Sequence, residues 1–254
     1  MNLIKKMIQI DTLDREAALY VSLPASYNET DKRYPTVYML DGQNVFLAND
    51  AFQGETWGIM EAYEDHDDLP EVIFVALSSA PGDKRLDEYG PFPFTNYRHA
   101  GGKAETTLDY LIEELKPTID TQYRTMPEPE YTAIAGASMG GVFALYATLR
   151  RPDAFGMAAS LSGAFFVSEA DFLALIEGSD LTDVKRVYVD TGDEEEGGGS
   201  PEDYLMSNLR IHEALKDKLP QERLAFRIIE SGRHFETDWA MRFPDVLRTL
   251  FQTT

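Results

Sequence analysis

The sequence predicts an α/β fold with a mostly parallel central sheet and helices on both of its faces. Short apolar runs, typical of strands buried on both sides, alternate along the chain with amphipathic helical stretches. Strands joined by helices become parallel neighbours through right-handed crossovers. The chain has 254 residues, of which 43% are hydrophobic, so it can bury one sizeable core. We therefore expect a single domain over residues 1–254.

The predicted strands share a compact apolar sequence, and turn residues bound several of them. They are Met7–Ile10, Ala17–Leu23, Thr36–Leu40, Val72–Leu77, Tyr131–Ala135, Met157–Leu161, Val187–Val189 and Leu224–Ile229. The first two are expected to form a hairpin at the edge of the sheet.

Helices are predicted between these strands. Thr107–Ile119 carries an apolar stripe at three-to-four spacing, and Val142–Leu149 follows a glycine pair. Another helix is expected to begin at Ser200, because a proline at the first helical position follows this capping residue. The last helix, Phe235–Leu250, contains Pro244, which can bend it.

Composition excludes several classes of function. The 23 basic and 44 acidic residues give a net charge of −21, which argues against binding nucleic acid or an anionic membrane. The absence of cysteine excludes disulfides, thiolate zinc sites and a cysteine nucleophile. No apolar run has the length of a signal sequence or a membrane span, so we expect a cytoplasmic protein. The oligomeric state is not indicated.

The clearest catalytic motif is Gly136-Ala137-Ser138-Met139-Gly140, a G-x-S-x-G pattern between a predicted strand and a predicted helix. This context is the one the motif requires, because the sharp strand-to-helix turn lifts the serine hydroxyl above the sheet. Ser138 is therefore the candidate nucleophile. The N–H of Met139, at the start of the helix, is a candidate oxyanion donor.

A serine hydroxyl needs a base, and four histidines are available. His66 lies in an acidic surface run, His212 in a peripheral predicted helix, and His99 in a loop where it can line a pocket or face solvent. His234 follows the last predicted strand, which is where the histidine stands when serine, acid and histidine come in that chain order. His234 is the candidate base.

The acid is expected near the end of the strand Val187–Val189. The candidates there are Asp190, Asp193, Glu194, Glu195 and Glu196. Residue types and positions alone do not choose among them.

A second oxyanion donor is expected from the loop after the third strand. Gly42 permits tight backbone geometry there, and the Gln43 N–H is the candidate donor. Trp57 is expected either to wall the substrate pocket or to lie in the core. Arg98 is a further candidate for the pocket.

Several segments match a known family. They are Tyr38–Asn44, Glu114–Pro117 with Tyr123–Thr125, Ile134–Gly141, Gly192–Glu195 and Gly232–His234. Together they resemble the putative-esterase family of α/β-hydrolases, which includes enterochelin-type siderophore esterases, S-formylglutathione hydrolase, feruloyl and acetyl-xylan esterases, and mycolyltransferases. The resemblance implies the α/β-hydrolase fold and hydrolysis of carboxylic esters without a metal or cofactor.

Carried over by position, the resemblance makes Ser138 the nucleophile and His234 the base, with Met139 and Gln43 at the oxyanion N–H positions. The family pattern near the acid is G-T-x-E or G-T-x-D. This chain has Asp193 where threonine is usual, and the acidic position falls on Glu195. The resemblance therefore ranks Glu195 first as the acid, ahead of Asp193 and Glu196.

We expect a serine carboxylesterase that acts on small esters, including sugar or siderophore esters, through an acyl-enzyme. An acyltransferase would use the same residues, and a non-catalytic binding module is the remaining alternative. The net charge repels anionic substrates, although Arg85 and Arg98 can reverse that effect near the pocket. S-formylglutathione hydrolase is disfavoured because its cysteine near the oxyanion loop is absent here.

Overall fold

The computed structural model describes residues 1–95 and 98–252. Within them, eight strands form one sheet. The strands are β1 (Asn2–Ile10), β2 (Arg15–Leu23), β3 (Thr36–Met39), β4 (Ile73–Leu77), β5 (Thr132–Ala137), β6 (Met157–Leu161), β7 (Arg186–Gly192) and β8 (Leu224–Ile229). All eight predicted strands are confirmed, although β1 begins five residues earlier than predicted and other strand ends differ by up to three residues.

The sheet runs in the order β1-β2-β4-β3-β5-β6-β7-β8. The β1–β2 hairpin at the edge and the β2–β4 pair are antiparallel, and every later pair is parallel. The mostly parallel sheet and its edge hairpin are therefore as predicted. β7 is longer than predicted, because Asp190, Thr191 and Gly192 continue the ladder opposite Arg227, Ile228 and Ile229 of β8.

The helices are α1 (Ile59–Asp65), α2 (Lys84–Tyr89), α3 (Ala104–Tyr110), α4 (Lys116–Gln122), α5 (Met139–Arg150), α6 (Glu169–Gly178), α7 (Pro201–Lys216) and α8 (Glu236–Leu250). A π-helical turn over Leu111–Leu115 joins α3 to α4, so the predicted helix Thr107–Ile119 is longer than expected. The predicted cap of α7 is confirmed: Ser200 and Asp203 form a capping box, with Pro201 at the first helical position.

Alternate residues of the strands enter two separate apolar clusters, one on each face of the sheet. Ile134 of β5 packs in the cluster that includes residues of α3, α5, α6 and α7. Its neighbours Ala133 and Ala135 pack in the cluster with residues of α1 and α8. In that second cluster the ring of Trp57 lies edge-on to Phe243, with centroids 5.2 Å apart. Helices therefore cover both faces, as predicted.

The parallel strands end at one edge of the sheet, where ligands of open α/β sheets bind. Gln43 follows β3, Ser138 follows β5 and Ser162 follows β6. Glu195 follows β7, and His234 lies between β8 and α8. Among the described residues, no helix combines the length and the apolar character that crossing a membrane requires.

Candidate active site

Ser138 stands on the sharp turn between β5 and α5. Its backbone is in a left-handed region, with φ 58° and ψ −126°, which a residue other than glycine rarely adopts. The turn is held because Ser138 N donates to Leu161 O at 3.0 Å and Ala164 N donates to Ser138 O at 3.3 Å. A Cβ on Gly136 would lie 2.7 Å from the carbonyl of Gly140, so the close approach of strand and helix requires glycine there.

His234 is oriented by Glu195. The imidazole Nδ1 lies 2.7 Å from Glu195 Oε2, and the Glu195 side chain is fully buried. The ring of Tyr204 lies 4.8 Å from the His234 ring, and Trp239 meets it edge-on at 5.1 Å. These contacts fix the imidazole from three sides.

The other oxygen of Glu195 also accepts hydrogen bonds. Oε1 accepts the Gly192 N–H at 2.8 Å and the Ser162 hydroxyl. Burial by itself would raise the pKa of Glu195, but the hydrogen bond and charge of His234, together with these two donors, outweigh it and lower the pKa. Glu195 is therefore ionised and acts only as an acceptor at neutral pH.

The remaining carboxylates near the strand end are placed differently. Asp193, Glu194 and Glu196 are exposed. Asp190 is buried inside β7 and directs its side chain to Tyr188, Ser162 and Arg242. Of the five candidates, Glu195 is the one that contacts His234.

The glycine run after Glu195 covers the imidazole. A Cβ on Gly197 would lie only 2.2 Å from His234 Cδ2, so the backbone packs directly against the ring. The Tyr204 hydroxyl donates to Gly197 O at 2.6 Å, and Gly199 packs against Phe166 in the same way. These close contacts hold the glycine run in place.

The two amides predicted as oxyanion donors both lie in the first turn of a helical segment. Met139 begins α5 and Gln43 lies in the 3-10 turn Gly42–Asn44, and the first N–H groups of a helix have no partner within it. The Gln43 side chain is pinned by Ser79, since its amide nitrogen donates to Ser79 Oγ and its oxygen accepts the Ser79 N–H, both at 3.1 Å.

Two cavities meet at Ser138. The larger, of about 610 Å³, is lined by Gln43, Trp57, His234 and Glu236 among others. The smaller, of about 290 Å³, has a charged side formed by Asp83, Arg85 and Arg98. Its other side is formed by Met139 and by an apolar group comprising Leu86, Phe94, Ala164, Phe166 and Val167. Trp57 is both a cavity wall and a core residue, with 2% of its surface exposed. Arg98 lies at an exposed position on the smaller cavity.

The arginines at the cavities are neutralised by partners. Both oxygens of Asp41 accept from Arg85, each at 2.6 Å, and Arg98 forms an ion pair with Asp83. The larger cavity also carries Glu236, whose pKa is raised by burial. Sequence reasoning allowed Arg85 and Arg98 to attract anions, but their pairing removes most of that attraction.

The other histidines stand apart from this arrangement. His66 lies 3.4 Å from an Arg248 nitrogen, His99 is exposed, and His212 of α7 stacks on Phe226.

Sequence reasoning missed Ser162 and Arg242. Ser162 Oγ donates to Glu195 and accepts from Trp239 Nε1 at 2.9 Å and from Arg242 Nη2 at 2.6 Å. Ser162 stands at the end of a predicted strand, which is a weak signal for a site residue. Arg242 gave no signal, because it lies 80 residues further on, inside a helix.

Comparison with known proteins places the chain in a family. The family model "Putative esterase" matches residues 10–250. The chain is 27% identical over 257 residues to the uncharacterized protein YbbA of Bacillus subtilis, a match that covers 94% of this chain and 93% of YbbA. It is 31% identical over 183 residues to an endo-1,4-beta-xylanase/feruloyl esterase of Xylanibacter ruminicola, covering 70% of this chain and 23% of that longer protein.

The fold has a close structural counterpart. The enterobactin esterase from Shigella flexneri superposes with a TM-score of 0.79 at 18% identity, over 99% of this chain and 59% of that one. This likeness establishes the α/β-hydrolase fold, and the family match establishes the activity class. The chain belongs to the Putative esterase family and is a carboxylic ester hydrolase.

Proposed function

We propose that the protein is a serine carboxylesterase in which Ser138 is the nucleophile, His234 the base and Glu195 the acid. The observation that carries this proposal is the 2.7 Å contact between His234 Nδ1 and the buried Glu195 carboxylate, beside the cavity that Ser138 and His234 both line.

The contact determines the tautomer of the imidazole. An ionised Glu195 can only accept, so the proton resides on Nδ1 and Nε2 keeps its lone pair. Nε2 is then free to take the hydroxyl proton of Ser138. The imidazolium that forms is stabilised by the same carboxylate.

The reaction proceeds through an acyl-enzyme. Ser138 Oγ bonds to the ester carbonyl carbon, and the proton passes to His234. The carbonyl oxygen gains negative charge and is held by the Gln43 and Met139 N–H groups, each of which contributes about 10²–10³ in kcat. His234 returns the proton to the departing alcohol, and water then repeats the sequence and releases the acid.

The two cavities suggest how an ester divides between them. The proton donor must reach the leaving oxygen, and His234 lines the larger cavity, so we assign the alcohol to that cavity. The acyl group then occupies the smaller cavity, where the apolar side of the wall favours a compact apolar or aromatic acid. The feruloyl esterase name of one relative agrees with such an acid.

Charge favours neutral esters over anionic ones. Arg85 and Arg98 are paired, whereas Glu236 in the larger cavity has no ion pair among the described residues. The net charge of −21 adds long-range repulsion of anions.

A substrate screen tests these assignments. We expect kcat/KM for the acetate ester of a neutral sugar to exceed that for the matching uronic acid by about tenfold at low salt, with the ratio shrinking as salt is added. Among 4-nitrophenyl esters, a short or aromatic acyl group should be preferred to palmitate. Equal rates for the two sugar esters would overturn the charge argument, and absence of any ester hydrolysis would overturn the proposal.

A further inference from the structure

Arg242 of α8 is a buried cation at the back of the site, and the triad reaction does not use it directly. It is 8% exposed, and it lies between two fully buried carboxylates, Asp190 and Glu195. Its Nε is 3.0 Å from Asp190 Oδ2, in an ion pair too oblique to be a hydrogen bond. Its Nη2 lies 2.6 Å from Ser162 Oγ and 3.9 Å from Glu195 Oε1.

We propose that Arg242 is a positioning residue of the ester hydrolase reaction. Arg242 holds Ser162, and Ser162 in turn holds Glu195 against His234. The negative charge of Asp190 balances the positive charge of Arg242, so that Arg242 does not draw Glu195 away from His234. This inference rests on the proposed triad of Ser138, His234 and Glu195.

The hydrogen bonds at Ser162 explain how Arg242 acts on Glu195. Ser162 Oγ accepts from Arg242 Nη2 and from Trp239 Nε1, so its own hydrogen is left for Glu195 Oε1. Ser162 N in turn donates to Asp190 Oδ1 at 3.1 Å and to Asp190 O at 3.0 Å. The serine is thereby fixed by both members of the Arg242–Asp190 pair.

Charge gives the second part of the argument. With Asp190 and Glu195 ionised and His234 neutral, Arg242 leaves the cluster with one net negative charge, which the imidazolium of the reaction would cancel. Removing Arg242 makes the cluster more negative and favours protonated His234. Removing the Asp190 charge does the opposite.

Among the described residues, other ionisable groups also lie near this cluster. Tyr188 of β7 donates to Asp190 Oδ2 at 2.9 Å, and burial keeps its pKa far above neutrality. Tyr204 of α7 meets the His234 ring, and Arg227 of β8 is an exposed cation paired with Asp245. Burial raises the pKa of Asp190 to about 6, so the effect of its charge is fullest above that pH.

The test is the acidic limb of the pH profile of kcat/KM in three variants. Arg242→Gln should shift this limb upward by about one pH unit, and Asp190→Asn should shift it downward by a few tenths to one unit. Both variants should lower kcat by about tenfold or more at little change in KM. Arg242→Lys keeps the charge, so its limb should stay near that of the wild type. Its kcat should fall, because lysine has a single nitrogen where Arg242 places Nε on Asp190 and Nη2 on Ser162.

Histidine NMR makes the test independent of turnover. With four histidines in the chain, the ring signals of His234 can be assigned and titrated even in a variant of low activity. Opposite shifts of its titration midpoint in Arg242→Gln and Asp190→Asn support the proposal. Unchanged midpoints, or shifts of the same sign, overturn it, since a purely structural role would lower Tm without moving the two midpoints in opposite directions.

Two controls keep the outcomes separate. If Glu195→Gln retains wild-type kcat, the triad itself fails; if Glu195→Gln is inactive but the Arg242 and Asp190 variants behave as wild type, only this inference fails. Should both neutral variants be unfolded by circular dichroism, Arg242→Lys decides, and a wild-type kcat in that variant overturns the positioning role.

Discussion

Replacing Glu195 with glutamine exchanges one oxygen for an NH₂ group, and the surrounding donors dictate which oxygen is lost. Oε1 receives the Gly192 N–H at 2.8 Å and the Ser162 hydroxyl. Ser162 cannot reverse its hydrogen bond, because its oxygen already accepts from Trp239 and Arg242. The glutamine oxygen must therefore remain on that side, and the NH₂ must face His234.

An NH₂ opposite Nδ1 turns that nitrogen into an acceptor and moves the imidazole proton to Nε2. The base then points a proton, in place of a lone pair, at Ser138. We expect kcat to fall by about 10³–10⁴, which corresponds to about 4–5.5 kcal/mol in the barrier, with little change in KM.

The assay is steady-state hydrolysis of 4-nitrophenyl acetate, with Tm measured in parallel. Glu194→Gln is the matched control: it makes the same change one residue away on an exposed side chain, so its kcat should stay within about twofold. A Glu195→Gln variant within tenfold of the wild type would refute the tautomer reasoning. A crippled Asp193→Asn variant would point to a different acid.

Three further predictions follow from the same site. Gly197→Ala places a Cβ 2.2 Å from the His234 ring, so kcat should fall by about 10², whereas Gly178→Ala, where a Cβ meets nothing within 4 Å, should leave kcat unchanged. Activity should survive EDTA, since no described group of three or more His, Asp or Glu side chains could hold a metal; strong inhibition reversed by one added metal would contradict this. Burial raises the Asp190 pKa from 3.8 to about 6, so this residue adds stability that is complete below pH 3.8 and lost as pH rises through 6. In denaturant titrations, the free energy of unfolding of Asp190→Asn relative to the wild type should therefore fall by about 1 kcal/mol as the pH is lowered from 7 to 5. A difference that stays constant with pH would contradict the raised pKa.

The sequence predicted the sheet because its strands are buried on both faces and read as short apolar runs. Ser138 was predictable because the elbow needs glycines at fixed positions around the serine, and His234 because it follows the last strand. Helices α1 and α2 span only seven and six residues, which is too short for a reliable apolar period.

The acid was beyond local sequence reasoning. Asp193, Glu194, Glu195 and Glu196 are consecutive carboxylates, and burial alone separates Glu195 from its neighbours. That burial depends on the Gly192 amide and on Ser162, which follows β6 and is 33 residues away in the chain. Arg242 reaches the same cluster across 47 residues of chain from Glu195, a contact that no residue pattern encodes.

The most direct test of the serine mechanism is mass spectrometry of the protein after reaction with a fluorophosphonate. Such probes phosphonylate an activated serine, so we expect one adduct, located on the peptide that contains Ser138, in step with loss of esterase activity. The Ser138→Ala variant should carry no adduct, fold normally and lose about 10⁴–10⁶ in kcat. An adduct on another residue, or more than a tenth of the activity remaining in Ser138→Ala, would contradict the account.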